Sequence, residues 1–380
     1  MNDLNAFKQR ARFKSAYKLL DVSLSIHSDD EKIISLFEQM YKRFKTDEKN
    51  VVHHFYVITK DSPFGQPFVI SHDEVHLIFG NELMYNHAYM EIFNEIKNLF
   101  AEFYIIHAGV VSTEENGVVI VGPSSFGKTT LTLEMVRRGY KFLSDEFCPI
   151  DRRTKKICSF PRGLSIREGS FDILSNIPDK ITTKKADMKT SKKWFDIEDW
   201  KEGSVETCVD GKYFFFLRGK SSPHAKQGER MIDLLLVKED NDLIAELEGL
   251  SETRLTFKQA AEYYIVYRFH FNQGEGVSRR FEEVCEKHPQ KILYYEMIPI
   301  EEPHFDREPL VEEISKSKAT LELLKNLINR SQHALIMKDT KTSSLLLLNL
   351  GEVANKAKCY DLFTGKLDQM AELITKTVEG

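Results

Sequence analysis

The chain has 380 residues, long enough for two or three domains of ordinary size. Hydrophobic residues make up 42% and charged residues 29%, the balance of a soluble globular protein, and a formal charge of −5 leaves no electrostatic footprint for nucleic acid. Five cysteines (Cys148, Cys158, Cys208, Cys285 and Cys359) are odd in number and lack Cys-x-x-Cys spacing, which excludes a disulfide framework and a zinc site of that kind and suits a reducing cytoplasm.

In chain order, Met1 to Leu20 is basic and amphipathic but has no apolar core followed by small residues, so it does not read as a secretory signal. The apolar stretches around Leu99 to Val111 and Leu345 to Leu348 are too short or too polar for a membrane span, and a soluble, cytoplasmic protein is expected. Residues 1–98 read as a small α+β module. Val22 to Ile26 alternates as a strand, Asp29 to Phe44 has helical spacing, Val51 to Thr59 and Phe68 to Phe79 read as strands, and Glu82 to Phe103 is a long helical pattern. The module shows no catalytic constellation: His53, His54, His72, His76 and His87 are scattered without the spacing of a metal site and read as structural.

The next domain, residues 99–380, holds the chemistry. His107 lies in the apolar strand Tyr104 to Ala108, either as a hydrogen-bonded core residue or as a site residue. Gly117 to Val121 is a nearly continuous apolar run, the pattern of a strand buried on both faces. It leads into Gly122-Pro123-Ser124-Ser125-Phe126-Gly127-Lys128-Thr129-Thr130, which matches the Gly-x4-Gly-Lys-Ser/Thr phosphate loop. Glycines let backbone N–H groups approach polyphosphate, Lys128 can reach the β- and γ-phosphates, Thr129 can offer its hydroxyl to Mg²⁺, and the following helix aims its positive end at the anion. Thr129 to Arg138 has helical spacing and stops at Gly139, a natural residue to follow a helix. Lys141 to Ser144 reads as a strand with Asp145 and Glu146 at its carboxyl end. One carboxylate could hold Mg²⁺ and the other accept a proton from an incoming hydroxyl, or the pair could merely solvate a turn.

Further on, residues 180–203 form a lysine-rich loop with Trp194 and Trp200, either a solvated segment or a lid or docking loop for an acidic partner. Met231 to Val237 reads as a strand and Thr256 to Phe271 as a helix. Arg280 to Tyr295 and Asn349 to Leu362 both run helix, turn, strand. The second is taken as the terminal strand, closed by a helix over Gly365 to Val378, which makes about 301–338 an insertion.

His107 to Val111, Gly117 to Thr130 and Arg138 to Glu146 together resemble the catalytic domain of the HPr kinase/phosphorylase-like family, related in fold to the ATP-dependent phosphoenolpyruvate carboxykinases. The resemblance implies an α/β phosphate-loop kinase domain preceded by a small α+β N-terminal domain. It implies ATP and Mg²⁺ as cofactors, with Gly122, Ser124, Ser125, Phe126, Gly127, Lys128, Thr129 and Thr130 around the nucleotide and Thr129 and Glu146 serving the metal. Asp145 would be the base that activates an acceptor hydroxyl, and His107 would line the site. Phe160 to Leu164 resembles a later family segment whose arginine enters the site, making Arg162 a ligand of the transferring phosphoryl and Arg167 a second candidate. The sequence departs from the family at Glu146, where an aspartate is usual, at Ser125, where many members have glycine, and at Phe160, where the bifunctional enzymes have glutamate. The expected activity is phosphoryl transfer from ATP to a seryl group of a protein or peptide, or to a small molecule. Homo-oligomerisation is compatible with it, and neither nucleic acid nor membrane is an expected partner. An ATP-binding regulatory or assembly protein is one alternative; a carboxykinase-like lyase, suggested by Gly127 to Leu131, is another, although its further cation-binding motifs are not found.

Overall fold

A computed structural model describes residues 4–78, 84–114, 116–123, 125–167, 183–184, 192–221, 229–236, 239–250, 253–260, 265–272, 277–288, 291–299, 301–329 and 340–380. The protein is a mixed α/β structure containing several sheets.

The basic amphipathic start divides into a helix, α1 (Leu4–Arg10), and a strand, β1 (Phe13–Leu19). β1 pairs with β2 (Val22–Ser28); helix α2 (Glu31–Tyr41), capped by the Asp30 carboxylate, then crosses over to β3 (His53–Ile58), parallel to β2. β4 (Phe68–Ser71) and β5 (Glu74–Leu77) complete an antiparallel edge, giving the order β1-β2-β3-β4-β5. Helix α3 (Met84–Leu99) follows, shorter than the sequence pattern suggested because Phe103 already belongs to a strand. Apolar residues of α2 and α3, among them Ile33, Phe37, Ile92 and Ile96, pack on this sheet in one core with Phe147, Phe160 and Trp194 from later in the chain. The N-terminal unit is therefore fused by its core to the segment that carries the candidate site.

β6 (Phe103–Ser112) and β7 (Asn116–Val121) form a hairpin, and α4 (Lys128–Arg137) follows the glycine loop. Gly139 takes the left-handed conformation (φ 107°), with its N–H and that of Tyr140 bonded to the carbonyls of Val136 and Met135, so the helix stops where the sequence places its end. β8 (Lys141–Ser144) and β9 (Phe147–Asp151) both pair antiparallel with β6, and β10 (Lys156–Cys158) turns back toward β9. A small side sheet consists of β11 (Leu164–Arg167), β12 (Thr183–Lys184) and β13 (Lys192–Phe195), followed by the single turn α5 (Ile197–Trp200). Residues 180–182 and 185–191 of the lysine-rich stretch lie outside the described residues; Trp194 within it is buried.

β14 (Cys208–Arg218) runs parallel to β7. A two-rung ladder of β15 (Lys220–Ser221) with a later strand brackets an inserted unit. That unit reads β16 (Glu229–Leu236), α6 (Asn241–Glu248), β17 (Thr253–Ala260), β18 (Ile265–Asn272), α7 (Val277–Lys287), β19 (Ile292–Pro299), with sheet order β17-β18-β16-β19, a split βαβ arrangement. The helix expected over Thr256 to Phe271 is therefore two strands. Ile265, Tyr267, Phe269 and Phe271 are buried in alternation, and an aromatic side chain at every second position covers one face of a pleated strand. The ladder closes with β20 (Glu301–Glu302), and β21 (Leu310–Glu313), α8 (Lys316–Lys325), α9 (Thr340–Asn355), β22 (Lys358–Phe363) and α10 (Leu367–Glu379) complete the chain. The segment expected as an insertion at 301–338 thus gives the central sheet its edge strand β21 and a helix, and the interruption lies between β15 and β20.

The central sheet runs β10-β9-β6-β7-β14-β22-β21, with β8 beside β6. Val118 and Ile120 of β7 face the core formed with α4 and α10, while Val119 and Val121 face the one formed with α8 and α9. Helices thus cover both faces, and the continuous apolar run of β7 reflects that double burial. Among the described residues, no helix is long and apolar enough to cross a membrane.

Candidate functional site

Three neighbouring stretches of backbone bring the site residues together around the middle of β6. On one side Val121, the last residue of β7, lies opposite Ala108, so the glycine loop begins beside His107. On the other, Asp145 and Glu146 form the break between β8 and β9, and the Glu146 carbonyl accepts from the Ala108 N–H at 3.1 Å. As expected, the acidic pair follows Ser144 at the carboxyl end of β8, in the two-residue break before β9 begins at Phe147. The third stretch is the turn at 160–163, where the Phe160 N–H bonds to the Leu143 carbonyl and Arg162 is carried in beside Asp145.

Two glycines make this packing feasible. A Cβ on Gly109 would stand 2.1 Å from Thr132 Oγ1, so α4 lies directly against β6 only because position 109 has none. Gly127 caps α4 at φ 84°, a left-handed conformation glycine adopts without steric cost. Ser125 also sits in that region, at φ 67°, where an L-residue costs roughly 1–2 kcal/mol. Phe126 is buried against the α4 core and anchors the loop, and the ring of Phe305 lies over Gly127. Ser124 lies outside the described residues, and Thr129 and Thr130 occupy the half-buried first turn of α4.

Lys128 is buried, and its Nζ donates to the carbonyls of Gly122 (2.7 Å) and Pro123 (2.9 Å). Burial pulls its pKa down to about 8, opposed by the nearby charge of Asp145. Asp145 is buried as well, and loss of solvent raises its pKa although Arg162, a backbone hydrogen bond and Lys128 act the other way. His107 is pushed down to about 4 by burial and by the positive charges of Lys128 and Arg162. The guanidinium of Arg162 pairs with the Glu146 carboxylate, stacks 5.0 Å from the centre of the Phe147 ring and donates from Nη1 to Tyr89 Oη at 2.9 Å. Its Nε lies 3.9 Å from Asp145 Oδ1, and neither atom, both buried, has a hydrogen-bond partner among the described residues.

Lys128, Asp145, Glu146, Arg162 and His107 are thus brought together as the sequence grouped them. Arg167 closes β11, paired through its backbone with Lys192. Sequence reasoning missed the contribution of the N-terminal unit. Tyr89 of α3 holds Arg162 and is itself bonded to Tyr41 Oη at 3.1 Å, while the Gly163 N–H donates to the Met40 carbonyl at 2.8 Å. No local motif marks these tyrosines, because their role arises from the packing of α2 and α3 on Phe160 and Phe147.

No protein-family model matches the chain, and no curated protein matches it. Among solved structures it is similar to the Hpr(Ser) kinase/phosphatase from Coxiella burnetii, with 13% identity over 49% of this chain and 96% of that one and a TM-score of 0.20. That likeness is weak and of fold level, so the functional reading rests on the residues of this chain.

Proposed function

We propose that the protein is an ATP-dependent phosphotransferase of the HPr kinase-like type, acting on a hydroxyl acceptor. The observation that carries this reading is the convergence of Lys128, Asp145, Glu146 and Arg162 on a glycine loop that opens a helix. Nucleotide and metal fit the residues present: Gly122 and Gly127 carry no side chain of their own into the loop, and Asp145 Oδ1 and Arg162 Nε, 3.9 Å apart, are buried with no hydrogen-bond partner among the described residues. Loop amides, Lys128 and the α4 N-terminus would hold the phosphates, and Thr129 and Glu146 the Mg²⁺. When bound, Mg-ATP supplies the electrophilic phosphoryl group. Lys128 exchanges its loop carbonyls for phosphate oxygens, Arg162 steadies the transferring charge from a position fixed by Tyr89 and Phe147, and Asp145 takes the acceptor proton. Its raised pKa suits a base that must hold that proton.

One observation favours a second reading, ATP binding without turnover: Glu146 is already paired with Arg162, which occupies a metal ligand and a phosphate ligand with each other. Calorimetry with Mg-ATP on the full chain, followed by phosphate release and label transfer into cell extract, separates the two. Lys128→Ala should abolish binding in either case; undiminished binding and transfer in that variant would reject both.

A further inference from the structure

The N-terminal unit holds a cluster that the site above does not use. β5 packs beside α3 so that His76 meets Glu91 and Glu95, which stand one helical turn apart on a single face of α3. His76 Nδ1 lies 3.2 Å from Glu91 Oε1 and its Nε2 3.3 Å from Glu95 Oε1. One ligand atom from each of the three residues falls within 4.8 Å of the others. Ligands of a four-coordinate zinc-type ion, with bonds of about 2 Å, stand roughly 3.3 Å apart; because Nδ1 faces Glu91 and Nε2 faces Glu95, one glutamate must swing toward the nitrogen that the other already meets for the trio to close on a single ion.

We propose that His76, Glu91 and Glu95 form a binding site for a divalent transition-metal ion of the zinc type. Imidazole nitrogen with carboxylate oxygen is a donor set that such ions accept. Glu95 Oε1 is buried and accepts no hydrogen bond from the described residues, which leaves a lone pair for an ion, while its other oxygen accepts from Ser71 Oγ and is thereby oriented. That outer bond is the kind that fixes a metal-binding carboxylate in place. His72 stands outside the trio, with Nδ1 3.7 Å from Glu95 Oε2 and Nε2 3.3 Å from His53 Nδ1. Side-chain exposures of 31% for His76, 27% for Glu91 and 22% for Glu95 leave the site an entrance from solvent. Because Tyr89 and Phe93 lie on the other face of α3, against Arg162 and Phe147, an ion here would brace the helix that positions the arginine.

Titration of the chelator-treated full chain with Co²⁺, read by visible absorption and displaced by Zn²⁺, tests the site without reference to catalysis. The expected result is saturation at one equivalent, bands of a nitrogen- and oxygen-ligated ion without a thiolate charge-transfer band, and a rise in the thermal midpoint with added Zn²⁺. His76→Gln and Glu95→Gln should each weaken binding more than about tenfold while circular dichroism shows both variants folded. Glu146→Gln should leave the Co²⁺ titration in place, which distinguishes this site from the proposed nucleotide metal. Absence of saturable binding, or unchanged affinity in both cluster variants, overturns the proposal and leaves the trio as an ion-paired lock between β5 and α3.

Discussion

Two buried charge clusters sit on the central sheet, and they are built on opposite principles. At the end of β14, Arg218 Nε lies 2.8 Å from Asp361 and its Nη2 3.1 Å from Glu322, while Lys318 and Lys325 complete the two carboxylates at 2.6 and 2.9 Å. There, burial works against the charge on Glu322, yet Arg218 and Lys325 outweigh it and the pKa falls; for Arg218 the two carboxylates outweigh burial and the pKa rises. Around the glycine loop the balance reverses. Burial dominates at Lys128, Asp145 and His107, and each is shifted toward its neutral form. Opposite charges hold Arg218 and Glu322 in their charged forms, whereas at the candidate site only Arg162, raised against burial by Tyr89 and Asp145, is held so, and Lys128, Asp145 and His107 are displaced toward their neutral forms, a pattern that marks functional sites.

Substitution at the acids should break the comparison most clearly. Asp145→Asn should lower turnover by about 10² to 10⁴-fold, the usual worth of a general base. It should also raise the thermal midpoint near neutral pH: a carboxyl whose folded pKa is raised holds its proton more tightly when folded, so ionising it costs stability as pH rises, and asparagine removes that cost. Phosphate release and scanning calorimetry on one preparation check both signs; unchanged turnover removes Asp145 from the role. Asp361→Ala should act oppositely, costing about 3–5 kcal/mol in denaturant unfolding because it leaves Arg218 and Lys318 short of a partner.

The pH dependence sharpens the contrast further. His107 has a folded pKa of about 4 against an ordinary value of 6.5, so the unfolded chain binds more protons between them. The stability this histidine confers is complete above pH 6.5 and lost as pH falls toward 4, by about 3 kcal/mol at most. His107→Asn should flatten urea-unfolding stability across that window relative to the parent; identical slopes would show that His107 is not the group responsible.

Legibility in the sequence followed range. The strand, loop and helix around Gly122 to Arg138 could be read because each signal is local: an apolar run, a glycine loop, a 3.6-residue period and a terminal glycine. The alternation at Ile265, Tyr267, Phe269 and Phe271 was present but merged with its neighbour into one apolar stretch, and a long stretch reads as a helix. Arg162 was legible only as an arginine after Phe160-Pro161; Tyr89, which holds it, and Tyr41, bonded to Tyr89, come from helices α3 and α2 far earlier in the chain. His76, Glu91 and Glu95 likewise share no motif, since a strand and a helix must pack before they meet.

The two-rung ladder of Lys220 with Glu302 and Ser221 with Glu301 bears on the order in which the chain folds. Bringing those residues together across an unstructured span of roughly 80 residues costs about 3 kcal/mol more in chain entropy than closing a two-residue turn. The split βαβ unit between them has its own core of Leu234, Tyr267, Phe269 and Phe281. Once that core forms, its ends emerge side by side, and the distant closure becomes a local one. Assembly of the inserted unit before the strands around it then delivers Phe305 to Gly127 as a neighbour rather than as the far end of a long search.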